Sequence, residues 1–394
     1  MEILNYNLAA DVAGRVRASL GLQRKYLIDG KWYKADEMGC EGAVEFLVSR
    51  MLEHSTVPFT EYDLVSFKTN DTQVATGCVS RNFCGENERV VTVAEILQKE
   101  TGYTLDHLYQ NLYRMSLEDR IKYVVDTVER VTGLTGFGAY LTSILELDEM
   151  TLNEDRHLNN IGVIASFRES PEQGAARDKR IRGSRPVLPE VDNQMWGDFR
   201  FAPIFDNGAA FLSDTINYPL EMSVSVALRK MRFKPFSRDN KQVRVCEQLY
   251  GKQLGLSLTR EQLLDAFDEI RKVYPEKVVE RLRAVVNHQL KYVVPRYMTP
   301  DKDLVSDFAA WVRENIHSDA DFENDMFRIS VRNHGQEILY ENLFVGGKAF
   351  FGGIPPAEEF DEVKHNIALY YRSLTDIHNY TPVFGTEQEM RRNF

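Results

Sequence analysis

The stretch NEDRHLNN, residues 153–160, stands between two apolar segments, FGAYLTSILELDEM (137–150) and IGVIAS (161–166). Forty-six positions after Asn160 comes Asp206, in FAPIFDNG (201–208), again at the end of an apolar run. Asp and Asn are poor strand residues and common turn residues. Each stretch alone therefore reads as a loop. Set at the ends of hydrophobic segments, Asp155, Asn160 and Asp206 acquire a second reading, as oxygen ligands and a proton acceptor gathered at one edge of a core.

Upstream, RKYLIDGKWYKA (24–35) reads as a hairpin on its Asp29-Gly30 turn. In EGAVEFLVSRMLE (41–53), Ala43, Val44, Leu47, Val48, Met51 and Leu52 fall on one helical stripe. YDLVSFK (62–68) and QVATGCVSRNF (73–83) are β-like. Hairpin, helix and further strands describe a small α+β domain over residues 1–90. Beyond CGENERVV (84–91) the texture turns helical: LEDRIKYVVDTVERVTG (117–133) has apolar residues at helical spacing and a terminal Gly, and 137–150 is a second, apolar helix. Amphipathic surface helices are expected at 259–274, 275–293 and 301–317, completing a helical domain over 91–320. Residues 321–394 read as a C-terminal extension or subdomain, with β-like runs in 328–347 and a short helix at 358–373. Residues 168–198 are rich in Gly, Pro, Arg and Ser and too long for an ordinary connection, so they read as an insertion that is either a functional loop or partly disordered. Their basic run ARDKRIRGSR (176–185) is either a solvated loop or an element for substrate docking or regulation.

A chain of 394 residues with 43% apolar and 27% charged content is an ordinary globular composition, long enough for a large core. The formal charge of −11 argues against nucleic acid as a partner. No stretch reads as a signal peptide, and none approaches the roughly 20 apolar residues that span a bilayer. Cys40, Cys78, Cys84 and Cys246 are scattered without a zinc spacing. Together these lead to the expectation of a cytoplasmic protein with reduced thiols and no membrane association.

Phosphoryl transfer from ATP needs a carboxylate for the attacking hydroxyl, oxygen ligands for Mg²⁺, and a lysine on the phosphates steadied by a helix glutamate. Asp155 can supply the base, and Asn160 and Asp206 the metal ligands. IGVIAS (161–166) and RFAPIF (200–205) would pair as strands and bring Asn160 to Asp206, with 168–198 as the insertion between them. D-x-x-x-x-N alone is expected about once by chance in such a chain, whereas D-R-H-x-x-N is roughly a thousandfold rarer.

Asp155-Arg156-His157-Leu158-Asn159-Asn160 resembles the catalytic loop of HipA-like and phosphatidylinositol-3-kinase-like kinases, and Asp206-Asn207-Gly208 resembles their DFG-like metal motif. The resemblance runs over residues 15–320. It implies an α+β, two-lobed protein-kinase-like fold with a small β-rich N-lobe and a larger, mainly helical C-lobe. It further implies Asp155 as catalytic base, Asn160 and Asp206 as Mg²⁺ ligands, and His157 as a structural member of the loop. Ser19-Leu20-Gly21-Leu22-Gln23-Arg24-Lys25 is similar to the phosphate-covering loop of HipA-like kinases, which places Ser19, Gly21 and Gln23 at the nucleotide. Ser19 contacts phosphate through its backbone, is itself phosphorylated, or is a plain loop serine. Lys34 matches the nucleotide lysine, with Lys31 or Lys25 as substitutes, and Glu45 its helix partner, with Glu41 one turn earlier.

The expected function is an ATP- and Mg²⁺-dependent kinase acting on a Ser/Thr hydroxyl of a protein. A small-molecule phosphotransferase is the alternative enzyme. A catalytically silent kinase-like module, the effector half of a toxin–antitoxin pair with an antitoxin-like partner, is the alternative of a different class.

Overall fold

In the computed structural model the described residues are 2–5, 25–68, 74–167, 196–258 and 260–297, with 310, 314–315, 320–323, 327–332, 337–342 and 348–349. The phosphate-loop candidates Ser19, Gly21 and Gln23, the basic run 176–185, the expected helix at 358–373 and most of that at 301–317 lie outside them. The fold is α+β, with a small sheet-bearing lobe and a mainly helical part. Contacts divide the chain into two units, Met1–Leu254 with Thr259–Val286, and Gly255–Leu258 with Asn287–Phe394.

In the first unit, β2 (Lys25–Ile28) and β3 (Lys31–Ala35) form the hairpin the Asp-Gly pair predicts. Asp29 and Gly30 have φ of +49° and +75°, the left-handed pair that a two-residue turn requires to match strand twist. β1 (Glu2–Asn5), β4 (Asp63–Lys68) and β5 (Val74–Arg81) complete a five-stranded sheet of order β1-β4-β5-β3-β2. All pairings are antiparallel except β1 on β4. Tyr33, Ala35, Val65 and Val79 form a core on this sheet.

Helix α1 (Glu41–Leu52) is buried at every position but Arg50, far beyond the single apolar stripe of its sequence. The sheet covers one side, and a later helix, α8 (Arg260–Arg271), packs on it as well. The approach to the sheet is set by two glycines: a Cβ on Gly42 would lie 2.4 Å from the carbonyl carbon of Gly77 in β5. Gly42→Ala must push helix from strand, and overpacking of this kind costs about 1–3 kcal/mol. A urea midpoint equal to wild type would refute that contact.

The Gly42 amide also donates to Asp36 Oδ1 (2.6 Å), while Thr76 and the Tyr274 hydroxyl donate to Oδ2 at 2.6 and 2.8 Å. Burial outweighs these bonds and raises the Asp36 pKa to about 6. The folded value exceeds the unfolded one, so the stabilisation is complete below about pH 4 and is lost as pH rises through 6. Between pH 4 and 7 the wild type is expected to lose on the order of 2–3 kcal/mol that Asp36→Asn does not lose, read from denaturation at both pH values.

The helical part opens on a strand. Residues 84–91 lead into β6 (Glu88–Thr92), which ends in a capping box, Thr92 with Glu95, and passes directly into α2 (Val93–Thr101). Then follow α3 (Leu105–Leu112), α4 (Leu117–Thr132), stopped by Gly133 at φ +72°, and α5 (Phe137–Thr151). Every residue of α5 except Ala139 is buried. β7 (Gly162–Phe167) pairs antiparallel with both β6 and β8 (Trp196–Phe201). The strand expected at 200–205 thus ends at Phe201. Pro203 has no N–H to continue a ladder, and Ile204 turns to the 58–60 segment, its amide donating to Pro58 O and its carbonyl accepting from Thr60 N, both at 2.9 Å. Helices α6 (Val224–Lys230), α7 (Lys241–Tyr250), α8 and α9 (Glu276–Tyr292) follow.

In the second unit, β9 (Ala320–Glu323), β10 (Phe327–Arg332), β11 (Glu337–Asn342) and β12 (Lys348–Ala349) form an antiparallel sheet in chain order. The β-like runs read at 328–347 are this meander. All four cysteines are free. Among the described residues, no helix is long and apolar enough to cross a membrane.

Candidate active site

Lys25 and Lys34 sit directly opposite each other across β2 and β3, so their side chains share one face of the hairpin. Both amino groups reach Asp206 Oδ1, Lys25 at 3.0 Å and Lys34 at 3.1 Å. Lys34 is buried and also donates to Glu45 Oε1 and to the Tyr62 hydroxyl, the latter at 3.0 Å. Burial opposes its charge, yet Glu45, Tyr62 and Asp206 hold its pKa well above the ordinary value. Burial likewise opposes ionisation of Asp206, but Lys25 and Lys34 prevail and keep its carboxyl well below the usual range.

Glu45 is wholly buried one turn into α1, and its second oxygen accepts the Asn207 amide at 3.0 Å. Glu41 is engaged locally: its carboxylate takes the amides of Met38 (2.7 Å) and Gly39 (3.0 Å) ahead of the helix. Of the two candidate glutamates, Glu45 therefore meets the lysine. Of the three candidate lysines, Lys31 is exposed beside the turn, Lys34 touches both Glu45 and Asp206, and Lys25 touches Asp206. Asp206 itself has φ +61°, a left-handed conformation that Asp tolerates better than most side chains.

The 153–160 loop leaves α5 through Leu152, at φ +61°. Asn153 Oδ1 accepts the Asp155 amide (3.1 Å), and the Asp155 carbonyl accepts both the His157 amide (2.8 Å) and Asn160 Nδ2 (3.0 Å). The last bond commits the Asn160 amide nitrogen and leaves Oδ1 as its acceptor. Asp155, half exposed, takes Lys234 Nζ on Oδ1 at 2.9 Å, with His157 Nε2 at 3.9 Å from Oδ2. Burial, opposed by Asp155, lowers the His157 pKa, so the imidazole is neutral at pH 7.

Arg156 ties the two stretches together. Its side chain is 1% exposed and grips Asp148 of α5, itself 1% exposed, through Nε and Nη2 at 3.0–3.1 Å. The same guanidinium donates to the carbonyls of Asn160 (3.0 Å) and Phe205 (2.8 Å) and to Asn207 Oδ1 (2.6 Å). One buried cation thus spans the loop carrying Asp155 and Asn160 and the segment carrying Asp206.

Arg156, Asp148, Tyr62 and Lys234 join the site without a role legible in the sequence. The available signal for Asp148 is that it stands with Glu146 and Glu149 in the last two turns of a mostly apolar helix, where a charge is buried only if paired. Lys234 and Tyr62 carried no comparable mark.

Among the described residues, no three His, Cys, Asp or Glu side chains gather as a metal site. One carboxylate and one amide oxygen nevertheless suit Mg²⁺, which commonly takes one or two protein carboxylates and completes its shell with phosphates and water. Asp206, fully ionised, and Asn160, with Oδ1 available, fit that donor set.

No protein-family model matches the chain, and no curated protein matches it. Among solved structures, that of the Helicobacter pylori proinflammatory kinase CtkA is similar over 70% of this chain and 89% of its own length, at 11% identity and a TM-score of 0.39. Similarity that weak assigns no family.

Proposed function

We propose that this chain is a phosphotransferase of protein-kinase-like design, in HipA-like or phosphoinositide-kinase-like order, which moves the γ-phosphoryl group of Mg-ATP to a serine or threonine hydroxyl of a protein. The observation that carries this reading is the convergence on Asp206 of Lys34, itself held by Glu45, while Arg156 fastens the Asp155–Asn160 loop to the same segment. Bound Mg-ATP supplies the transferable group and the metal charge that neutralises it. Lys34, charged and stripped of water, is placed to hold phosphate oxygens, with Lys25 as a second cation. Asn160 and Asp206 hold the metal. Asp155 orients the acceptor hydroxyl and takes its proton on Oδ2, since Oδ1 is occupied by Lys234. His157, neutral, packs the loop. The work is positioning and charge compensation, which can account for most of the rate in reactions of this type.

The test is incubation of the full chain with γ-labelled ATP and Mg²⁺, alone and with a cell lysate. Label is expected in protein bands and is expected to vanish on chelation of Mg²⁺. Mg-ATP at a hundredfold excess over its Kd should also stabilise the fold by about 2.7 kcal/mol. Absence of both labelling and stabilisation would leave a silent module and end the kinase reading.

A further inference from the structure

Beside Asp155 lies a concavity of about 220 Å³, lined by Tyr109, Tyr113, Arg232, Phe233, Lys234 and Arg238 among others. Its floor is continuous with the catalytic loop: the Leu158 amide donates to the Tyr109 hydroxyl at 3.2 Å, and Lys234 reaches Asp155. Its aromatic wall is fixed. Tyr109 and Tyr113 stack with centroids 6.3 Å apart, and the Tyr113 hydroxyl donates to Pro235 O at 2.9 Å.

The charge of this surface runs against that of the molecule. Residues 229–244 contain seven Lys and Arg and one Asp, in a chain of net charge −11. Arg232, Lys234 and Arg238 are all exposed. Among the described residues, neither the Arg232 nor the Arg238 guanidinium has a carboxylate partner; the Arg232 side chain donates to the carbonyls of Arg229 and Met231, while its backbone amide meets the Glu154 carboxylate. Lys234 is already paired with Asp155, but the two guanidiniums beside it lack side-chain carboxylate partners and favour an anion in the hollow. The hollow is smaller than the 300–1,000 Å³ usual for a whole small-molecule ligand, but ample for one side chain.

Resting on the assignment of Asp155 as the base, we propose that this hollow receives the acidic side chain of an acceptor peptide. The preferred substrate is then a serine or threonine flanked by Asp or Glu. The exposed cations admit a peptide chain, and the tyrosine faces accept its apolar portions. The incoming carboxylate also gives Lys234 a second partner, relaxing its grip on Asp155 as the hydroxyl arrives.

The experiment is fluorescence polarisation with the full chain at low salt, using three labelled peptides that carry one serine flanked by Glu, Gln or Lys. The Glu peptide is expected to bind about tenfold tighter than the Gln peptide, with the advantage shrinking as salt rises. Arg232→Gln/Arg238→Gln should erase the difference, and Arg238→Glu should shift the preference toward the Lys peptide. Binding indifferent to peptide charge, or selectivity untouched by these exposed substitutions, overturns the proposal. So does displacement of the Glu peptide by inorganic phosphate at equal concentration, which would make the hollow a free-phosphate site. Charge-selective binding without phosphoryl transfer keeps the pocket and removes the kinase. Transfer without charge selectivity does the reverse.

Discussion

Asp155→Asn is expected to lower phosphoryl transfer by about a hundred- to ten-thousandfold, the usual worth of a positioned general base. The substitution keeps the shape of the side chain and removes its ability to take a proton. Its structural cost is small, because Asp155 is half exposed and its ion pair with Lys234 is of a kind worth roughly 0–1 kcal/mol. Stabilisation by Mg-ATP should therefore persist while labelling fails. Asp206→Asn is expected to differ in kind, losing the Mg-ATP stabilisation itself, since it removes the ionised carboxylate proposed as metal ligand and the partner of two lysines. A transfer rate in Asp155→Asn equal to wild type would remove this residue from the mechanism.

The second large effect is on the fold. Arg156→Leu leaves Asp148 as a carboxylate sealed in α5 with its cation gone. Burial already pushes the Asp148 pKa up, with Arg156 working against it. Breaking a buried pair from one side costs about 3–5 kcal/mol, a large part of the roughly 5–15 kcal/mol that holds a typical domain together. Asp148→Leu/Arg156→Leu should recover much of that loss in a urea melt. It should not recover transfer, because the bonds to Asn160, Phe205 and Asn207 remain absent. A single variant as stable as wild type would show that the guanidinium is not the fastening described.

Local chemistry explains which features were legible beforehand. Asp29-Gly30 announces its hairpin because few other pairs accept two left-handed residues, and Gly133 announces the end of α4 for a similar reason. Lys34 and Glu45 are marked by a family likeness and Asp206 by its place after an apolar run, and the fold brings the three within bonding distance. The partners of Arg156 were illegible, since a motif letter says nothing about which carboxylate meets it. β6 was hidden because ERVVT runs into VAEILQKET with no punctuation between strand and helix. The apolar content of RFAPIF points to a strand running to Phe205, but Pro203 cannot continue the ladder and β8 ends at Phe201. Lys234 stands 79 positions from Asp155, a separation at which no local pattern operates.

Glu45 uses its two oxygens on two different clients, the ammonium of Lys34 and the backbone amide of Asn207. That makes α1 a logical conjunction. With the helix seated, Lys34 and the segment carrying Asp206 are both in register; with the helix displaced, neither is. A partner that shifted α1 by the length of one hydrogen bond would not weaken the site by halves. It would switch it.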